Sequence, residues 1–82
     1  MRQDDIEAAL AGILETAAKV RPAEVTRDKR LRQDLGIDSL SLIDVAVAAE
    51  DAFGVRIPDE DLERFQTVGD VADHIRRAGV IT

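Results

Sequence analysis

Apolar residues fall at helical spacing in three stretches of the chain. In residues 3–19, Ile6, Ala9, Leu10, Ile13, Leu14 and Ala17 recur at three- and four-residue intervals, which lays one apolar stripe along an amphipathic helix. Asp4, Asp5 and Glu7 stand in its first turn and Lys19 and Arg21 at its end, the arrangement that the helix dipole favours. Pro22 stops continuation. The second stretch is residues 39–53, where Asp38 is suited to the N-cap, Gly36 permits a sharp turn into the helix and Gly54 suits the C-terminal cap. Val55, Arg56 and Ile57 read as an extended connector, because the residue before Pro58 is pushed out of the α region. Asp59 is suited to cap a short third helix over residues 59–65. Thr67 and Asp70 resemble a capping box with Asp in place of Glu and open a last helix over residues 68–77. That helix carries a Val68, Val71, Ala72, Ile75 stripe and is ended by Gly79. No strand pattern, repeat or low-complexity tract interrupts this. The pattern predicts an all-α fold, a small bundle of three main helices plus one short one, in a single domain over residues 1–82.

The connection between the first two helices, residues 20–37, is eighteen residues long. The usual length in a compact domain is about 4–6. Val25, Leu31, Leu35 and Ile37 are spaced along it as anchors that would pin an ordered loop to the core, with a short helical turn near Pro22 and Val25. Its basic residues Arg27, Lys29, Arg30 and Arg32 read as a solvated patch.

The second helix has two apolar sides. At about 100° per residue from Leu40, the residues Leu42, Val45, Ala46, Ala49 and Phe53 fall between roughly 140° and 240°, an ordinary buried stripe. Leu40, Ile43, Asp44, Val47 and Asp51 fall within about 60° of zero. Burying unpaired carboxylates is costly, so this second stripe is expected to be exposed. Apolar residues ringed by acids suit partner docking.

Composition narrows the chemistry. The 82 residues include no Cys, no Trp, no Tyr and one His, which excludes Cys–His catalysis and any site needing two imidazoles. A binding, adaptor or carrier role is expected rather than an enzyme. The net charge is −6, which disfavours nucleic acid and anionic membranes as partners. The charge is uneven: residues 34–63 hold nine acids against one base, Arg56, a balance of −8. No apolar run approaches the ~18 residues of a membrane span, and no secretory h-region opens the chain, so a cytoplasmic protein is expected. Asp59, Glu60 and Asp61 lack the order and loop glycine of a calcium loop, and no metal site is expected. His74 reads as a surface or core-edge residue.

One junction is more specific. Asp34-Leu35-Gly36-Ile37-Asp38-Ser39-Leu40 is followed, thirteen residues after Leu40, by Phe53-Gly54-Val55-Arg56-Ile57-Pro58-Asp59-Glu60-Asp61 and then by Thr67-Val68-Gly69-Asp70. Together these resemble an acyl carrier protein, over nearly the whole chain. The resemblance implies that Ser39 takes a 4′-phosphopantetheine arm from coenzyme A, with Asp38 positioning the serine and the Mg²⁺ used by the transferase. It places Leu40, Ile43, Asp44, Val47 and Asp51 on the family's partner-recognition helix, the face already singled out by its mixed stripe. The partners implied are a phosphopantetheinyl transferase, acyltransferases, ketosynthases and other synthase enzymes with basic docking patches, meeting a monomeric carrier. Ser41 is the rival acceptor and lacks a preceding Asp. Gly36-Ile37 in place of Gly-Gly before Asp-Ser-Leu looks more like fatty-acid or polyketide carriers than peptidyl carriers. The chain resembles a freestanding type II component similar to actinobacterial carriers of fatty-acid or mycolate-type synthesis. Leu31 stands where fatty-acid carriers often have Phe, and the loop is unusually basic, so a polyketide carrier stays open. So do a carrier of aminoacyl groups and a cofactor-free acidic helical adaptor. A growing acyl chain is expected to fold back between helices lined by Ala46, Ala49, Phe53, Ile57, Leu62, Phe65 and Val68.

Overall fold

The computed structural model describes residues 3–79. Residues 1–2 and 80–82 of the stretch read as one domain lie outside the described residues. Four α-helices follow in order: α1 (Gln3–Ala18), α2 (Ser39–Phe53), α3 (Asp59–Arg64) and α4 (Val68–Gly79), with a 3-10 turn at Pro22–Glu24 after α1. The chain is an all-α bundle, three longer helices and one short, as the periodicity predicts.

In α1, Ile6, Leu10 and Leu14 are buried at four-residue steps, while Ile13 and Ala17 lie half-buried against the core. Ala9 is exposed, so the stripe is narrower than its spacing predicts; a methyl group at the margin of a stripe gains little from burial. The helix stops at Ala18, one residue before the expected end. Lys19 takes a left-handed φ of 59°, its N–H donates to the Glu15 carbonyl at 3.0 Å, and the Val20 N–H donates to Leu14 at 3.2 Å. This reversal satisfies two of the carbonyls a helix end leaves open and carries the Val20 side chain into the core.

α1 packs on both α2 and α4, and α2 also meets α3. The inner side of α2 contributes Leu42, Val45, Ala46 and Ala49, all buried. Gly54 ends the helix in the left-handed region at φ 67°, where a Cβ would be strained although nothing crowds it. The connector that follows is tied back by the Ile57 N–H, which donates to a Glu50 carboxylate oxygen at 2.8 Å.

Two helix ends differ from expectation around α3. Pro58, extended at φ −62° and ψ 153°, holds the N-cap position, and Asp59 is the first helical residue. Asp59 is therefore not the cap: Pro58 has no side-chain acceptor, and the chain turns into the helix on its fixed φ. The helix ends at Arg64, with Phe65 already extended. The capping box at α4 is present as read. The Thr67 N–H donates to Asp70 Oδ2 at 3.1 Å, and the Asp70 N–H donates to Thr67 Oγ1 at 3.2 Å. α4 then runs two residues further than expected, with Arg76 and Arg77 in its last turn, where cations suit the dipole.

The long connection is ordered. Its backbone zips onto the α3–α4 junction through Leu31 N–H to Gln66 O at 2.8 Å, Val68 N–H to Lys29 O at 3.0 Å and Gly69 N–H to Arg27 O at 3.0 Å. Leu31 and Ile37 are buried, with Val25 and Leu35 half-buried beside them, so the four expected anchors all face the core. The basic patch needs correcting, because it is not merely solvated. Arg27 reaches Asp73 on α4 at 2.9 Å and Glu7 on α1 at 3.4 Å, and Arg30 reaches Asp34 at 3.2 Å. Among the described residues no helix is long and apolar enough to cross a membrane.

Candidate functional site

The chain turns into α2 on Gly36, at φ 67°, and buries Ile37. Asp38 follows in extended conformation, and its Oδ1 accepts the Ser41 N–H at 2.8 Å. Its backbone carbonyl accepts the Leu42 N–H at 2.9 Å. These two bonds make Asp38 the cap and Ser39 the first residue of α2. The Asp38 carboxyl is held below the usual carboxylate range, first by the Ser41 amide and then by the Ser41 hydroxyl; the Leu40 amide and the charge of Arg32 add to this against a small desolvation. The carboxylate therefore stays ionised and capping at neutral pH.

The two serines separate here. Ser39 is exposed and lines a recess of about 260 Å³ together with Arg32, Leu42, Ile43, Asp59, Leu62 and Glu63. Its hydroxyl has no hydrogen-bond partner among the described residues. Ser41 is half-buried and is not among the residues lining that recess, and its backbone N–H is bonded to Asp38. An acceptor for a large covalent group needs an accessible, uncommitted oxygen and room beside it. Ser39 has both, and the Leu42, Ile43 and Leu62 side chains give the recess an apolar lining.

The outer side of α2 is open as its mixed stripe predicts. Leu40 is 76% exposed, Ile43 48% and Val47 52%, and Asp44 and Asp51 are exposed among them. Neither acid is in an ion pair among the described residues. The face offers apolar contact and uncompensated negative charge together.

Some of the site was not foreseen. Of the residues expected to line a path for the acyl chain, Ala46, Ala49, Ile57 and Val68 are packed into the core and Phe53, Leu62 and Phe65 lie half-buried against it, while the recess beside Ser39 is a separate feature that includes Leu62. The sequence offers Arg32 only as part of a solvated basic patch and Asp59 as a helix cap, and singles out no role for Glu63, because pairing the loop with α3 needs the tertiary fold. His74 is half-buried. Its Nε2 lies 2.9 Å from the Arg56 carbonyl and its ring meets Phe65 edge-on at 5.4 Å, which ties α4 to the connector before α3.

Residues 8–75 match the family described as the phosphopantetheine attachment site. The chain is 49% identical over 75 residues to the meromycolate extension acyl carrier protein of Mycolicibacterium smegmatis, covering 92% of this chain and 76% of that protein. It is 47% identical over 75 residues to the acyl carrier protein of Rhodococcus erythropolis, covering 92% of this chain and 82% of that one. It is also 41% identical over 80 residues to the acyl carrier protein of Acidothermus cellulolyticus, covering 98% and 95%.

Proposed function

This chain belongs to the acyl carrier proteins of the phosphopantetheine-attachment family, and on that premise we propose that Ser39 bears the arm. The observation that carries the assignment is the contrast between the two serines of the motif. Ser39 is exposed, uncommitted and beside a recess, whereas Ser41 is half-buried and is not among the residues lining that recess. When bound, the group supplies a flexible arm ending in a thiol that takes an acyl group as a thioester. The chain's own residues then have three tasks. Asp38 holds the first turn of α2 in register so that the Ser39 oxygen stays presented. Leu42, Ile43 and Leu62 offer apolar surface next to the attachment point. Leu40, Ile43, Asp44, Val47 and Asp51 dock on partner enzymes.

The chain is a carrier and not a catalyst in this reading. With no base other than the capping carboxylate of Asp38 adjoining Ser39 in sequence, the phosphopantetheinyl transferase supplies the base and the Mg²⁺. Acyltransferases, ketosynthases and other synthase enzymes of the cytoplasm then meet the acidic outer face of α2 through basic patches. Charge-steered contact suits fast arrival and fast release. The relatives named for meromycolate extension favour a fatty-acyl cargo over a polyketide or aminoacyl one.

Intact mass tests the attachment. Incubation with coenzyme A, Mg²⁺ and a broad-specificity transferase is expected to add the mass of one arm to the wild type and to Ser41→Ala. No addition is expected to Ser39→Ala. Addition to Ser39→Ala, or none to the wild type with an active transferase, overturns the assignment.

A further inference from the structure

Four arginines lie between α1 and α2, and three of them are engaged. Arg21 pairs with Glu24, Arg27 with Glu7 and Asp73, and Arg30 with Asp34. Arg32 forms no ion pair among the described residues. It lines the recess that Ser39 lines, together with Asp59 and Glu63 of α3, and its charge already reaches the carboxyl of Asp38, the residue before Ser39.

The backbone that carries Arg32 is fixed. Leu31 is buried and its N–H is bonded to Gln66 O. The Arg32 carbonyl accepts the Gly36 N–H at 3.1 Å, and the Ile37 N–H returns to Leu31 O at 2.9 Å. The segment from Leu31 to Ile37 is thus a closed turn, and it sets Arg32 and Ser39 on the same recess. Only the Arg32 side chain, and not the backbone that carries it, remains to be ordered, which lowers the entropic cost of a contact there.

Loading Ser39 places a phosphodiester on its oxygen, and with it one new negative charge. The surroundings oppose that charge: Asp38 is adjacent, Asp59 and Glu63 share the recess, and residues 34–63 already carry a balance of −8, nine acids against one base. A guanidinium can offset this with paired N–H donors that match phosphate oxygens. Resting on the assignment of the arm to Ser39, we propose that Arg32 is a positioning residue for the arm, its guanidinium binding the phosphodiester and thereby holding the root of the arm at the mouth of the recess. The contact is surface-exposed, so it orients the arm without locking it and weakens with salt.

The test uses apo and holo forms of the wild type, Arg32→Gln and Arg32→Lys, with circular dichroism to confirm that each keeps the helical fold. In low salt, the ³¹P resonance of the holo wild type is expected to differ in chemical shift from that of holo Arg32→Gln and to relax as a less mobile group. Arg32→Lys should fall between them, and about 0.5–1 M NaCl should merge all three as the screening length falls toward ~3 Å. Loading should also change Tm less favourably in Arg32→Gln than in the wild type, by about 2–4 °C. Identical ³¹P shifts and relaxation in holo wild type and holo Arg32→Gln at low salt overturn the role of Arg32 while leaving the arm on Ser39. Failure of the wild type to load, or loading of Ser39→Ala, overturns the attachment reading and this one with it.

Discussion

A single carboxylate organises the start of α2, where the arm is proposed to attach. Asp38 accepts the Ser41 N–H, one of the free amides in the first turn of α2, while the Ser39 hydroxyl has no hydrogen-bond partner among the described residues. The capping and the charge of Asp38 can be separated. Asp38→Asn keeps an oxygen acceptor and is expected to keep Tm close to wild type. Asp38→Ala removes the acceptor and should lower Tm, fray the first turn of α2 and slow transfer of the arm to Ser39, because the turn that presents the oxygen is loosened. Thermal unfolding followed by circular dichroism and a transferase time course measure the two effects; equal Tm values for the Ala and Asn variants would remove capping as the cause. At this scale the sequence carried much of the answer. An Asp before a Ser at the head of an amphipathic run is a cap in the residues themselves, and only the relative exposure of Ser39 and Ser41 needed the fold.

Among the elements, the helices were legible and their ends less so. Helix α2 runs over Ser39–Phe53 as its cap residues predict, because Asp38 and Gly54 act locally. α1 ends on Lys19 in the left-handed region, a conformation that costs a non-glycine residue about 1 kcal/mol. Lys19→Gly is expected to raise stability by roughly 0.5–1 kcal/mol, offset in part by the freer unfolded chain; a loss of Tm would show that the reversal is not strained. The strap between α1 and α2 depends on Leu31, which anchors the backbone bonds to Gln66 and, next to it, to Val68 and Gly69. Leu31→Ala should cost about 2–5 kcal/mol and speed hydrogen exchange at the Leu31, Val68 and Gly69 amides more than at the centre of α1. Uniform exchange throughout would mean that the strap does not open as a unit. The anchors were readable as isolated apolar residues in a polar stretch, but their partners were not, since a loop pairing over thirty-five residues or more leaves no periodic trace.

For the whole molecule, electrostatics bears on stability and, in the proposed function, on encounter. Asp34, Asp38 and Asp73 are held below the ordinary carboxylate range by Arg30, by the Ser41 amide and by Arg27 respectively. A group whose folded pKa is depressed stabilises the protein above its unfolded value, about 3.9 for Asp, and loses that contribution as pH falls through the folded value. The excess negative charge works the other way, since self-repulsion at pH 7 is relieved as the pH approaches the isoelectric point near 4.6. Tm is therefore expected to hold or rise slightly from pH 7 to about 5 and to fall steeply below about 4. Added NaCl at pH 7 should raise it by several degrees. A Tm that falls steadily from pH 7 downward would contradict this balance. In the proposed function the same uncompensated acids serve docking. Asp44→Lys with Asp51→Lys should lower kcat/KM of a partner synthase enzyme for the loaded carrier by about tenfold at low salt and leave Tm no lower than wild type; unchanged kinetics would remove this face from docking.

The sequence alone determined the helix order, the capped start of α2, its two-sided character and the family, because periodicity, capping chemistry and a motif spread over 34–70 are properties of neighbouring residues. Tertiary structure decided what those residues meet. It assigned Arg27 to hold α1 and α4 together, shaped a partly apolar recess at the surface beside Ser39, and brought Arg32 to the same recess. The physical reason is that a charge or a small apolar residue has no preference encoded in its own spacing. Its role is set by which distant backbone is folded against it.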